Sequence, residues 1–143
     1  MNTVVVDASV AAKWLLPARG ETLTDEAFRL FRRYTLGEIR FVVPDLFWAE
    51  LANVLWKAVR RGRCSNAAAE TGLASLIERK LPTVSSPTLL DAAFRIATAF
   101  DRSVYDSLYV ALAVHSKAQL ITADEPLANS LAAHFPVRWL GAV

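Results

Sequence analysis

Four carboxylates occupy positions where an acid calls for an explanation: Asp7, Glu50, Asp106 and Asp124. Asp7 follows the β-branched run Thr3-Val4-Val5-Val6, and Asp124 comes just after Leu120-Ile121-Thr122. Asp106 opens a very apolar stretch, while Glu50 falls within an apolar helical stripe with Phe47, Leu51, Val54 and Ala58. Local readings exist for each. The aspartates fit as helix caps or as acids placed at a helix dipole. Glu50 fits as one half of a structural salt bridge to an arginine. A glutamate on the buried side of a helix is nonetheless rare unless it is paired or bound to something. Gathered in one cleft, four carboxylates would repel one another, and some would stay protonated unless a cation were present. All-oxygen ligation suits Mg2+ or Mn2+. Zinc has no ligand set, because His115 and His134 lie far from the acids in sequence and Cys64 is the sole cysteine. A carboxylate-held divalent cation lowers the pKa of bound water and stabilises a leaving oxygen, which is the chemistry of phosphodiester hydrolysis.

The elements that must position these acids follow from periodicity and punctuation. Strands are predicted at Thr3–Val6, Phe41–Val43, Pro82–Ser85, Gln119–Thr122 and Val137–Leu140. Helices are predicted at Val10–Leu16, Thr24–Leu36, from an Asp45 cap to Arg61, from a Ser65 cap to Lys80, from a Ser86-Pro87 start to Phe100, at Asp106–Ser116 and at Glu125–His134. Strands that are apolar on both faces and alternate with helices imply an α/β fold with a parallel sheet covered on both sides. In such sheets ligands bind at the carboxyl ends of the strands, where Asp7 and Asp124 would stand.

Composition sets the remaining bounds. With 143 residues, 54% hydrophobic and 21% charged, one domain spanning 1–143 is expected, with a substantial core and no disorder. The apolar share also hints at surface buried against another chain. No apolar run approaches the roughly 18 residues of a membrane span. The first residues do not have the form of a signal peptide, so a cytoplasmic location is expected. Net charge is only +2, but half of the 16 basic residues fall between Arg29 and Arg63. Lys57, Arg60, Arg61 and Arg63 continue the helix that carries Glu50 and are candidates to hold the phosphates flanking the cleaved bond, or else form a solvated helix face. Trp14, Trp48 and Trp56 fit a core, or a groove that anchors a partner helix or stacks on bases.

Four stretches together resemble the PIN-domain family. Val4-Val5-Val6-Asp7-Ala8-Ser9-Val10 resembles its opening, and Pro44-Asp45-Leu46-Phe47-Trp48-Ala49-Glu50-Leu51-Ala52-Asn53-Val54-Leu55 its second motif. Tyr105-Asp106-Ser107-Leu108-Tyr109-Val110-Ala111-Leu112-Ala113 resembles the third, and Leu120-Ile121-Thr122-Ala123-Asp124-Glu125-Pro126-Leu127 the fourth. Each motif is weak alone, but they occur in the family's order over nearly the whole chain. Within the family, the length and wording are most similar to VapC-type toxins. The resemblance implies a three-layer α/β/α sandwich with a five-stranded parallel sheet, a Mg2+- or Mn2+-dependent endoribonuclease, homodimers, and neutralisation by a small VapB-like antitoxin. It further implies that Asp7, Asp106 and Asp124 hold the principal metal, partly through water, and that Glu50 orients the attacking water or bridges to a second ion. Ser9 and Thr122 are then hydroxyls that orient the carboxylates; their local alternatives are a helix start and a β-branched strand position.

Two other readings compete. A phosphatase with Asp7 as nucleophile would carry a second aspartate two residues on, where this chain has Ser9. A non-catalytic module that binds RNA or protein would use the acids only as caps.

Overall fold

The computed structural model describes residues 2–143. Its strands are β1 (Asn2–Val6), β2 (Ile39–Pro44), β3 (Thr83–Val84), β4 (Gln119–Thr122) and β5 (Val137–Trp139). Its helices are α1 (Ala8–Leu15), α2 (Thr24–Thr35), α3 (Leu46–Arg60), α4 (Asn66–Glu78), α5 (Ser86–Phe100), α6 (Val104–His115) and α7 (Glu125–Leu131). A short 3-10 turn, Leu140–Ala142, follows β5.

Three successive buried valines, Val4, Val5 and Val6, mark β1 as a strand covered on both faces. It pairs in parallel with β2 through Val4 opposite Phe41 and Val5 opposite Val42. On its other side it pairs in parallel with β4 through Val5 opposite Leu120 and Val6 opposite Ile121. With β3 beyond β2 and β5 beyond β4, the parallel sheet runs β3-β2-β1-β4-β5. The chain leaves β1 toward β2 and later returns on the opposite side at β4. That reversal opens a crevice outside the carboxyl ends of β1 and β4.

Helices cover the sheet. α6 lies against β1, β2 and β4, with α5 packed on it. Seven consecutive residues of α6, Ser107 to Ala113, are buried, as expected for a helix without a polar face. α1 packs against α2, α3 and α4. Here the partly buried Trp14 packs on the core beside Phe31 and Phe41, and its indole N–H donates to the Ala27 carbonyl at 2.8 Å. No described helix is long and apolar enough to cross a membrane.

Several boundaries depart from the sequence expectation for local reasons. α1 begins at Ala8 because Asp7 itself is the cap, accepting from the Ser9 amide. α6 begins at Val104 because the Ser103 hydroxyl accepts from the Asp106 amide at 3.0 Å, which moves Asp106 into the first turn. α7 ends at Leu131, whose carbonyl accepts from the His134 and Phe135 amides in a closing turn. Asp45 was expected to cap α3 and does not. Its carboxylate reaches instead to the start of α5, accepting from the Ser86 amide at 3.0 Å and from the Ser86 hydroxyl. The cap position of α5 is accordingly Ser85, one residue earlier than expected.

Candidate active site

Strand β1 ends at Val6, so the Asp7 carboxylate emerges at the sheet's carboxyl edge, and the Asp7 amide donates to the Ile121 carbonyl of β4 at 3.1 Å. Its two oxygens have different partners. One accepts from the Ser9 amide at 3.4 Å, and the other from the Thr122 hydroxyl at 2.7 Å. Capping and site geometry are therefore not alternatives at Asp7.

Across the crevice, Thr122 is the fully buried last residue of β4. Its hydroxyl donates to Asp7 and accepts from the Asp124 amide at 3.0 Å. Ser9 makes a second tie, its hydroxyl accepting from the Ala123 amide at 3.1 Å. Two hydroxyls thus join the loop after β1 to the loop after β4. Asp124 caps α7 by accepting from the Leu127 amide at 3.1 Å, with its second oxygen free of that bond.

The other two acids come from helices that meet at the same edge. Glu50 lies on the second turn of α3, half-buried. Its partner is not an arginine: the Tyr109 hydroxyl of α6 donates to Glu50 Oε1 at 2.6 Å. Tyr109 stands three residues after Asp106, on the same face of α6. Asp106 has Arg102 one turn before it, with Nε at 4.0 Å from the carboxylate, too long for a hydrogen bond. That buried Nε has no hydrogen-bond partner. Sequence marks Tyr109 only as one of several aromatics in these motifs; its bond to Glu50, and the presence of Arg102, are visible only in the fold. A tyrosine within an otherwise apolar, internal helix was the available signal, because a buried phenol needs a polar partner.

Electrostatically the acids form one set. Burial raises the pKa of Asp7, outweighing the hydrogen bonds from Thr122 and Ser9, and Asp106 adds repulsion. Burial also raises Glu50, against the Tyr109 bond, with repulsion from Asp7 and Asp106. Asp106 is raised by burial and by Asp124, and is only partly relieved by Arg102. Desolvation, the Asp7 charge and the bond to Glu50 keep the Tyr109 phenol protonated, so it acts as a donor. Among the described residues, no three acidic, histidine or cysteine side chains are grouped closely enough to hold a metal ion as they stand. An open set of repelling, partly desolvated oxygen donors fits a hard divalent cation that keeps some of its waters better than a dry protein cage.

The basic residues divide. Arg63 does not reach a rim: it donates to Glu21 at 2.6 Å, and Lys13 donates to the same carboxylate at 3.2 Å. Lys57, Arg60 and Arg61 are exposed and line a surface cleft with Trp56. The tryptophans divide too. Trp14 and Trp48 are both partly buried and packed against the core, with the Trp48 N–H donating to Thr83 at 3.1 Å, whereas Trp56 is 52% exposed.

Comparison with known proteins adds a family match, a curated relative and two structural neighbours. A family model described as PIN domain matches residues 4–129. The chain is 35% identical to Ribonuclease VapC3 of Pyrobaculum aerophilum over 133 residues, covering 91% of this chain and 95% of that protein. Among solved structures, PAE2754 of the same organism superposes with a TM-score of 0.70 at 23% identity, covering 99% of this chain and 91% of that one. The VapBC2 structure of Rickettsia felis, bound to a promoter DNA fragment, gives 0.68 at 12% identity, with 96% and 98% coverage. These two structures carry the likeness of fold.

Proposed function

The chain belongs to the PIN-domain family, and on that premise we propose that it is a metal-dependent endoribonuclease, the toxin of a toxin–antitoxin pair. One observation carries the reading. Asp7, Glu50 and Asp106 are all raised by burial and by repulsion from neighbouring acids around a single crevice, and the guanidinium of Arg102, 4.0 Å from Asp106, relieves that carboxylate only in part. A fold that desolvates several like charges without neutralising them is arranged for a cation from outside.

In this proposal Asp7, Asp106 and Asp124 hold Mg2+ or Mn2+, partly through water, and Glu50 orients the water that attacks the phosphodiester. When bound, the divalent cation supplies the charge that lets the acids ionise together and the activation of water needed for hydrolysis. The chain's own residues do the positioning. Thr122 and Ser9 fix the Asp7 carboxylate and its distance from the Asp124 loop. Tyr109 ties one oxygen of Glu50, leaving the other to accept a proton from water. Arg102 stands where it can meet a substrate phosphate beside Asp106.

The kinship to a VapC ribonuclease supports an RNA substrate and a VapB-like antitoxin partner. Leu90 and Phe94, exposed one turn apart on α5, support pairing with a second copy. The test is a mixed RNA pool incubated with purified protein in Mg2+ or Mn2+, then in EDTA. Cleavage is expected only with metal and is lost in Asp7→Asn; metal-independent binding without cleavage would leave a non-catalytic RNA-binding module.

A further inference from the structure

The face of α3 that carries Glu50 does not stop at the crevice. At about 100° per residue, Lys57 and Arg61, seven and eleven residues on, return to within about 20° of the direction of Glu50. They lie about 10 and 16 Å further along the axis, at about 1.5 Å per residue. Both are exposed, and among the described residues neither they nor Arg60 is paired with an acid. Trp56 stands beside them, 52% exposed, with the Arg60 guanidinium 4.9 Å from its ring centre. These four residues line one open cleft.

We propose that Trp56, Lys57, Arg60 and Arg61 form a second RNA-binding shelf, which grips the strand several nucleotides from the scissile bond. The inference rests on the ribonuclease reading and adds a consequence, that substrates are selected by length. Unpaired cations clustered with an exposed indole match a polymer of phosphates and flat bases: Lys57 and Arg61 hold phosphates, and the Trp56–Arg60 pair offers a stacking surface. At roughly 3.4 Å per stacked nucleotide, the far end of the shelf is about five nucleotides from Glu50. The apolar groove on the other side of Trp56, lined by Leu55, Val59, Ala69 and Leu73, is the surface a protein partner would choose instead.

The experiment uses the full chain with Glu50→Gln, so that RNA is bound without being cut. Fluorescein-labelled oligouridines of twenty and four nucleotides are titrated by anisotropy at several salt concentrations. The Lys57→Gln/Arg61→Gln variant is expected to weaken the twenty-mer about tenfold relative to the four-mer, and to reduce the salt slope by about 1.4, for two lost phosphate contacts. Trp56→Ala is expected to cost the twenty-mer about fivefold. Arg19→Gln/Lys117→Gln, the same charge loss elsewhere, should leave the ratio of the two affinities unchanged. An unchanged ratio in both shelf variants, whatever they do to association with a protein, overturns the shelf while leaving the nuclease reading intact. Failure of the parent to bind either RNA overturns both.

Discussion

At the start of α1, Asp7 is desolvated beside other acids and its pKa rises; just past the end of the same helix, Glu21 is desolvated too, yet its pKa falls. Burial pushes Glu21 up, but the hydrogen bonds and charges of Arg63 and Lys13 outweigh that penalty. The three side chains are 15%, 33% and 8% accessible for Glu21, Arg63 and Lys13, so the ion pairs are sheltered from water. The acids of the crevice receive hydroxyls, amides, a phenol and one distant guanidinium. The contrast separates two uses of a buried carboxylate. Where the fold needs one for its own cohesion, it supplies the counter-charge; where it withholds the counter-charge, the group is kept available for something that binds.

The largest expected effect is therefore at the crevice. Asp106→Asn should reduce metal-dependent cleavage on the order of a hundredfold or more. Because it removes a repelling charge, the melting temperature of the metal-free protein should not fall. A variant that melts lower and cuts normally would place Asp106 among the structural acids and erase the contrast. Glu21→Gln should do the opposite. It leaves Lys13 and Arg63 facing each other in a sheltered place, with a cost of about 2 kcal/mol, below the roughly 3–5 kcal/mol of a fully buried pair because Arg63 is partly exposed. A fall in Tm of roughly 6 °C follows. Cleavage per folded molecule should be retained, measured well below the transition. Loss of cleavage without loss of stability would move Glu21 into the active machinery.

Tyr109→Phe sharpens the comparison from inside the site. The ring keeps its packing and only the bond to Glu50 Oε1 goes. If the phenol positions Glu50, kcat should drop about tenfold while KM stays within about twofold. In a Glu50→Gln background the same change should have no further effect on the residual rate. Equal losses in both backgrounds would show that the ring matters only for packing.

How much of this was legible in the sequence depends on the range of the interaction concerned. The valines of β1, the proline and glycine punctuation and the unbroken apolar run of α6 encode elements locally, and the α/β layering with a parallel sheet follows from them. The placement of Asp7 and Asp124 at strand ends was equally legible, being a matter of adjacency to Val6 and Thr122. What escaped was long-range pairing. Asp45 satisfies the local rule for a cap, yet its carboxylate is taken by Ser86, 41 residues away. Arg63 belongs by sequence to a basic cluster and is withdrawn from it by Glu21, 42 residues away. Glu50 called for a partner, and its partner lies 59 residues away on a helix whose apolar character disguised a phenol as core. Local chemistry announces that a polar group needs satisfaction, and only the tertiary fold says by what.

The smallest effect tests the comparison without any substitution. For Asp7, Glu50 and Asp106 the folded pKa lies above the unfolded one, so the metal-free folded protein holds protons that the unfolded chain has released. Their contribution to stability is present at low pH and is lost as pH rises from the ordinary carboxylate range, about 4, through the raised values. Glu21 and Asp45 have lowered pKa values and work in the other direction. Their stabilisation is present above about pH 4 and is lost as pH falls through their folded values. Between these two windows the metal-free protein should be most stable in mildly acidic solution, with Tm declining by roughly 2–3 °C toward pH 7.5. Saturating Mg2+ should remove that decline, because a bound cation favours the ionised acids, and should leave the acid limb unchanged. A metal-free Tm that climbs steadily from pH 5 to pH 8 would mean that the crevice is already neutralised from within, as the Glu21 cluster is.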